Sequence, residues 1–132
     1  MAVLNEIKPK LNLRMAALLH DISKPDCFTV DEKGRGHFYG HHIKSAETSE
    51  KIHQRLGYEN DFILDVKTLI RYHYIKELAN VIKENGIKKF VKAVGVERLD
   101  DMFELLKADM AGKASTNYEV IKKLKEMWEE VI

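Results

Sequence analysis

Residues that interrupt helices are scarce in this chain: two prolines and seven glycines in 132 positions. The stretches between them are rich in strong helix formers, so an all-α fold is expected. Cys27 is the only cysteine, which excludes an internal disulfide and points to a reducing cytoplasm. With no activating base in view, it reads as a half-buried structural thiol rather than a nucleophile. No apolar run is long enough to span a bilayer, and the N-terminus lacks a signal-peptide pattern. Charge of one sign is also missing. The formal net charge is +1, so no global field selects nucleic acid or an anionic membrane as partner. What remains is an ordinary globular mix, 45% hydrophobic and 33% charged, of a length that suits one domain and one core.

Helical periodicity organises the chain. A short amphipathic start, Val3 to Lys8, is broken by Pro9. A helix is expected from Leu11 to Ile22, with Met15, Leu18, Leu19 and Ile22 at the i, i+3, i+4, i+7 positions of a buried stripe. The glycine-containing stretch from Asp26 to Gly40 reads as an ordered loop or small hairpin. A helix from His41 to Leu56 follows, with Gly57 as its C-cap. Asn60 is the expected N-cap of a helix over Asp61 to Tyr74, whose stripe is Phe62, Val66, Leu69 and Ile70. Two shorter helices flank Asn85-Gly86. A longer one spans Glu97 to Ala111 and stops at Gly112. Ser115 or Thr116 caps a final helix with Ile121, Leu124, Trp128 and Val131 on its core face.

The chemistry gathers on histidines and aspartates. His20 and Asp21 are adjacent at the end of an apolar helical run, where both side chains can reach one ion. Asp109 falls at i+7 on the apolar face of Met102, Leu105 and Leu106. A carboxylate buried there needs a compensating charge, unless the helix ends early and leaves it in solvent. His73 continues the Phe62–Ile70 stripe, either as a satisfied core histidine or as a ligand. His41 opens its helix after Gly40, where backbone can approach a site closely. His42 and His53 are expected to face outward or support neighbours. His37 is either a substrate contact or, more simply, loop packing. Together these residues stand at the ends or core-facing stripes of four helices, as in a metal site inside a helical bundle. Nitrogen plus carboxylate, without thiolate, suits Mn²⁺, Fe²⁺, Ni²⁺, Zn²⁺ or Mg²⁺.

Four segments carry a resemblance to the HD-domain superfamily, named for an adjacent metal-binding His-Asp pair. They are Ala16-Ala17-Leu18-Leu19-His20-Asp21-Ile22-Ser23-Lys24-Pro25, Gly36-His37-Phe38-Tyr39-Gly40-His41, Ile70-Arg71-Tyr72-His73, and Lys107-Ala108-Asp109-Met110-Ala111-Gly112. The stretch from Phe28 through His41 is most similar to the HD domain of bacterial CCA-adding tRNA nucleotidyltransferases and their poly(A)-polymerase relatives. The resemblance implies a compact bundle of about six to seven helices over residues 1–132. It makes His20, Asp21 and Asp109 primary metal ligands, with Asp21 bridging if two ions bind. His41 and His73 match the histidines of expanded sites. Lys24 matches a lysine placed to reach a substrate phosphate, and Arg35 and Arg71 are weaker candidates for that task. Ser23 replaces a frequent glycine, and His42 stands where relatives often have an acid. Residues 1–19 hold no histidine, so the family's first metal histidine is missing and the chain is expected to begin part-way along the first family helix.

Two functions follow from this reading. The first is metal-dependent hydrolysis of a nucleotide or RNA-end phosphoester, including a phosphomonoester or a 2′,3′-cyclic phosphate, with Asp21 and Lys24 in the catalytic set. The second is a non-catalytic module or fragment of a tRNA nucleotidyltransferase-like protein that binds tRNA or a partner domain. Lys83, Lys88, Lys89 and Lys92 form a local basic cluster for such contact, or simply a solvated helix face. A degenerate fold kept for protein contact, using Met127 and Trp128, is a further alternative.

Overall fold

A computed structural model describes residues 10–38, 40–73, 75–83, 85–111 and 118–131. Its element order is α1 (Leu11–Leu19), β1 (Phe28–Val30), β2 (Gly36–Phe38), α2 (His41–Arg55), α3 (Asn60–Tyr72), α4 (Ile75–Lys83), α5 (Ile87–Val94), α6 (Leu99–Ala111) and α7 (Tyr118–Val131). The architecture is all-α, with one small antiparallel hairpin. The amphipathic start, Gly112 and the Ser115 or Thr116 cap lie outside the described residues. No helix among the described residues is long and apolar enough to cross a membrane.

The first helix is rotated from its expected face. Leu13, Ala16 and Ala17 are its buried stripe, with Leu19 beside them. Leu18 is 50% exposed and Ile22 40% exposed, so two of the four expected core positions face solvent. Two alanines on the inner face let α1 pack closely on α3 and α6, where bulkier residues would hold the helices apart. The helix also ends earlier than expected. After Leu19 the backbone continues in tight turns, Ile22 N–H to Leu19 C=O at 3.1 Å and Lys24 N–H to Asp21 C=O at 3.1 Å. A 3₁₀ turn, Pro25–Cys27, follows. Cys27 is half-buried there, as expected.

The hairpin pairs Phe28 with Phe38, Thr29 with His37 and Val30 with Gly36. Its loop is closed by the Asp31 carboxylate, which accepts from the Lys33 and Arg35 amides at 2.9 Å each. Gly40 (φ 71°) then turns the chain into α2. At the far end of α2, Gly57 (φ 80°) takes the left-handed conformation of a Schellman cap. Its N–H reaches Gln54 C=O at 3.2 Å, and Tyr58 N–H reaches His53 C=O at 3.1 Å.

The inner face of α2 is polar. His42, Ser45, Ala46, Ser49 and His53 are all buried, so His42 and His53 point inward rather than outward. His53 is fully buried, with Nδ1 3.3 Å from Ser49 Oγ and its ring edge-on to Tyr58 and Phe62. Val66, Leu69 and Ile70 of α3 are buried as expected. Glu59 rather than Asn60 precedes the first helical residue, without a side-chain cap.

Asn85 (φ 58°) divides α4 from α5. The expected start of the next helix at Glu97 is a 3₁₀ turn, Val96–Arg98, leading into α6. Arg98 anchors it by a 2.7 Å ion pair to Asp65 on α3. The final helix buries Ile121, Leu124 and Trp128, whereas Val131 is 38% exposed. It packs over α4, α5 and α6 and completes a core continuous with Leu13, Leu69, Met102 and Leu105.

Candidate metal centre

Three helices deliver their polar residues by the same device. On α1 the buried stripe is Leu13, Ala16, Ala17 and then His20. On α3 it is Val66, Leu69, Ile70 and then His73. On α6 it is Met102, Leu105, Leu106 and then Asp109. In each case the i+7 position of an apolar stripe carries a metal-ligating side chain at the inner end of its helix. His20, His73 and Asp109 are all buried.

Backbone geometry aims the two imidazoles. His20 Nδ1 lies 2.6 Å from the Ala17 carbonyl oxygen. His73 Nδ1 makes a short contact with the Ile70 carbonyl oxygen. A carbonyl only accepts, so Nδ1–H donates in both rings and Nε2 is turned toward the centre. The rings meet edge to face with centroids 5.2 Å apart. One ligand atom from each of His20, Asp21 and His73 lies within 4.8 Å of the others.

Carboxylates surround His20 Nε2. Asp21 Oδ2 is 3.1 Å away and Asp109 Oδ1 3.5 Å away. His41 Nε2 approaches Asp21 Oδ1 at 3.4 Å, and Lys24 Nζ lies 3.5 Å from Asp21 Oδ2. Asp21 is the open member, with one third of its side chain exposed. Burial pulls the His20 pKa down, but hydrogen bonds to Asp109 and Asp21 and the Asp21 charge outweigh it and raise the pKa to about 9. Burial pushes Asp21 up, but the hydrogen bond and charge of His20, with Lys24, hold it well below the usual carboxylate range. His73 is lowered to about 4, by burial first and by the neighbouring His20 cation second. Without an ion, the site holds a proton on His20 between two carboxylates. The same position is electrostatically suited to a divalent cation, and the nitrogen and carboxylate donors fit one.

Of the residues expected from sequence, His20, Asp21, His41, His73, Asp109 and Lys24 come together. His37 does not join them. Its Nε2 lies 2.8 Å from Asp31 Oδ2, within the hairpin loop. Arg35 is exposed on that hairpin. Arg71 lines a cavity with Tyr72 and Phe90.

The sequence reading missed a polar clip beside the centre. Ser23 N–H donates to Ser45 Oγ at 3.1 Å, and Ser23 Oγ lies 2.9 Å from Thr48 Oγ1. Ser23 and Ser45 are both buried, and the contacts fasten the turn carrying Asp21 and Lys24 to α2. The available signal was the spacing of His42, Ser45, Ser49 and His53, helical but not hydrophobic.

An all-α bundle whose helix ends converge on an adjacent His-Asp pair matches a known family. The HD-domain profile covers residues 1–129, and the chain belongs to that family. One similar protein is the A-adding tRNA nucleotidyltransferase of Deinococcus radiodurans, 33% identical over 100 residues. The match covers 75% of this chain and 22% of that enzyme, so the chain spans about a fifth of its relative.

Proposed function

We propose that this domain is a metal-dependent phosphohydrolase acting on a nucleotide or RNA-end phosphoester. The observation that carries the reading is the convergence of His20, Asp21, His73 and Asp109 from three helix ends, with His41 entering from a fourth helix. His20, Asp21 and Asp109 hold the ion, and His41 and His73 extend the ligand set. A divalent ion bound there supplies Lewis acidity and lowers the pKa of water toward neutrality. The chain's own residues do the rest. Nδ1–H donation to backbone carbonyls fixes both imidazoles before any ligand arrives. Asp21, partly open to solvent, sits where the centre meets substrate. Lys24, beside it, supplies a positive charge for phosphoryl oxygens. Inner-face packing of α1, α3 and α6 holds the donors on rigid elements.

The test is hydrolysis of a panel of nucleoside monophosphates and 2′,3′-cyclic phosphates by the purified protein with Mn²⁺, Ni²⁺ or Mg²⁺. Cleavage abolished in Asp21→Ala is expected. A folded, metal-loaded protein that cleaves nothing, or an Asp21→Ala variant with full activity, contradicts the reading.

The similarity to a tRNA nucleotidyltransferase supports a second reading, a tRNA- or partner-binding module without catalysis. Strongly salt-dependent tRNA binding with no hydrolysis distinguishes it.

A further inference from the structure

The end of α3 and the α4–α5 pair line an open cavity of about 440 Å³. That volume lies in the range of small-ligand sites. Its walls combine an apolar floor, including Leu78, Val81 and Phe90, with Tyr72 at one side and Arg71 and Lys89 among the lining residues. None of the described lining residues is acidic.

The aromatic wall is held in place from behind. Phe90 stacks on buried Trp128, with centroids 6.2 Å apart and planes 11° apart, and stands edge-on to Tyr72 at 6.5 Å. The Arg71 guanidinium lies over the Tyr72 ring, 4.9 Å from its centroid. A planar arginine on an aromatic ring presents a stacking surface and a fork of donors together. Lysines gather on the helices beside it, with Glu130 near Lys88 and Lys89. Lys88, Lys89 and Lys92 are exposed on α5, a helix without any acid, and Lys83 is exposed at the end of α4.

We propose that this cavity binds one nucleotide of a single-stranded RNA. The base packs against the apolar floor and the Tyr72–Arg71 pair. The phosphate is met by Arg71 and Lys89, and adjoining phosphates run along the α5 lysines. Apolar walls and a stacked guanidinium accept any base face, so the site favours single strands over duplex. Arg71 and His73 are two residues apart on a helical turn, about 200° around the axis. The cavity therefore lies on a different side of α3 from the metal centre, and one RNA can occupy both only by passing around that helix end. The inference takes its chemical class from the nucleotide reading above but does not depend on hydrolysis.

The test uses the full chain in EDTA, with fluorescein-labelled hexa-adenylate followed by anisotropy across a salt series. Wild-type protein binds. The double variant Arg71→Gln/Lys89→Gln weakens binding by about tenfold or more and reduces the salt slope by about 1.4, two single-strand phosphates' worth. Tyr72→Leu weakens binding several-fold while leaving the salt slope in place. A matched charge loss elsewhere, Lys44→Gln/Lys51→Gln on α2, leaves affinity and slope near wild type. No binding in EDTA overturns the proposal. So does equal binding by wild type and Arg71→Gln/Lys89→Gln, or an equal loss in the α2 control. AMP binding without hexa-adenylate binding overturns RNA as the source. Every arm runs without metal, so failure here leaves the hydrolase reading standing, and the reverse also holds.

Discussion

His20 and His73 come from different helices, yet each ring is aimed by the carbonyl of the residue three positions before it, Ala17 and Ile70. Their rings meet edge to face at 5.2 Å. The two differ sharply in charge. Carboxylates on either side of His20 keep it protonated near neutrality, whereas burial keeps His73 neutral.

That difference predicts the proton count of metal binding. At pH 7 an ion must displace the His20 proton, since the His20 pKa is about 9. His73, with a pKa of about 4, has none to give. Calorimetry in buffers of different ionisation enthalpy should therefore show about one proton released per His20 engaged. Affinity should rise with pH up to about 9 and level off above it. Release of two protons, or none, contradicts the assignment.

The same shift gives a sign for the metal-free protein. The folded His20 pKa is above its unfolded value of 6.5. Its contribution to stability is therefore fully present below pH 6.5 and is lost as pH rises through about 9. Asp109→Asn removes one of the two carboxylates and should lower the His20 pKa by about 1 to 3 units, read by NMR titration. An unchanged pKa shows that Asp109 does not face the imidazole.

Ser45→Ala leaves the buried Ser23 N–H without its 3.1 Å acceptor. A loss of about 1–3 kcal/mol in denaturant unfolding is expected. Ser23→Ala removes the Thr48 contact instead and should cost about 1 kcal/mol. A loss near zero for Ser45→Ala means that the clip is not formed.

The rotated face of α1 is tested by truncation. Leu13→Ala, at a fully buried position, should cost about 2–5 kcal/mol. Leu18→Ala, at a position 50% exposed, should cost well under that, about 1 kcal/mol or less. Equal costs contradict the observed register.

The sequence was informative where burial is apolar and periodic. The stripe of α3 predicts the position of His73, and the stripe of α6 predicts that of Asp109. It misled on α1 because bulky Met15, Leu18 and Ile22 suggested a face that small Ala16 and Ala17 occupy instead. It was silent on α2, whose buried face is His42, Ser45, Ser49 and His53. Hydrophobic patterning does not register a polar inner face, so it leaves His42 and His53 either outward-facing or supporting neighbours, and it gives no sign of the Ser23–Ser45 clip. By its place in the motif Arg71 is a weaker candidate for substrate phosphate, and in the structure it lines a cavity with Tyr72 and Phe90.

The most direct measurement is the metal content of the folded protein after equilibrium dialysis against Mn²⁺ or Ni²⁺, compared with Asp21→Asn and Asp109→Asn. The account predicts at least one ion per wild-type chain and a loss of about tenfold or more in affinity in each variant. Wild-type protein that retains no ion, or variants that retain as much as wild type, would contradict it.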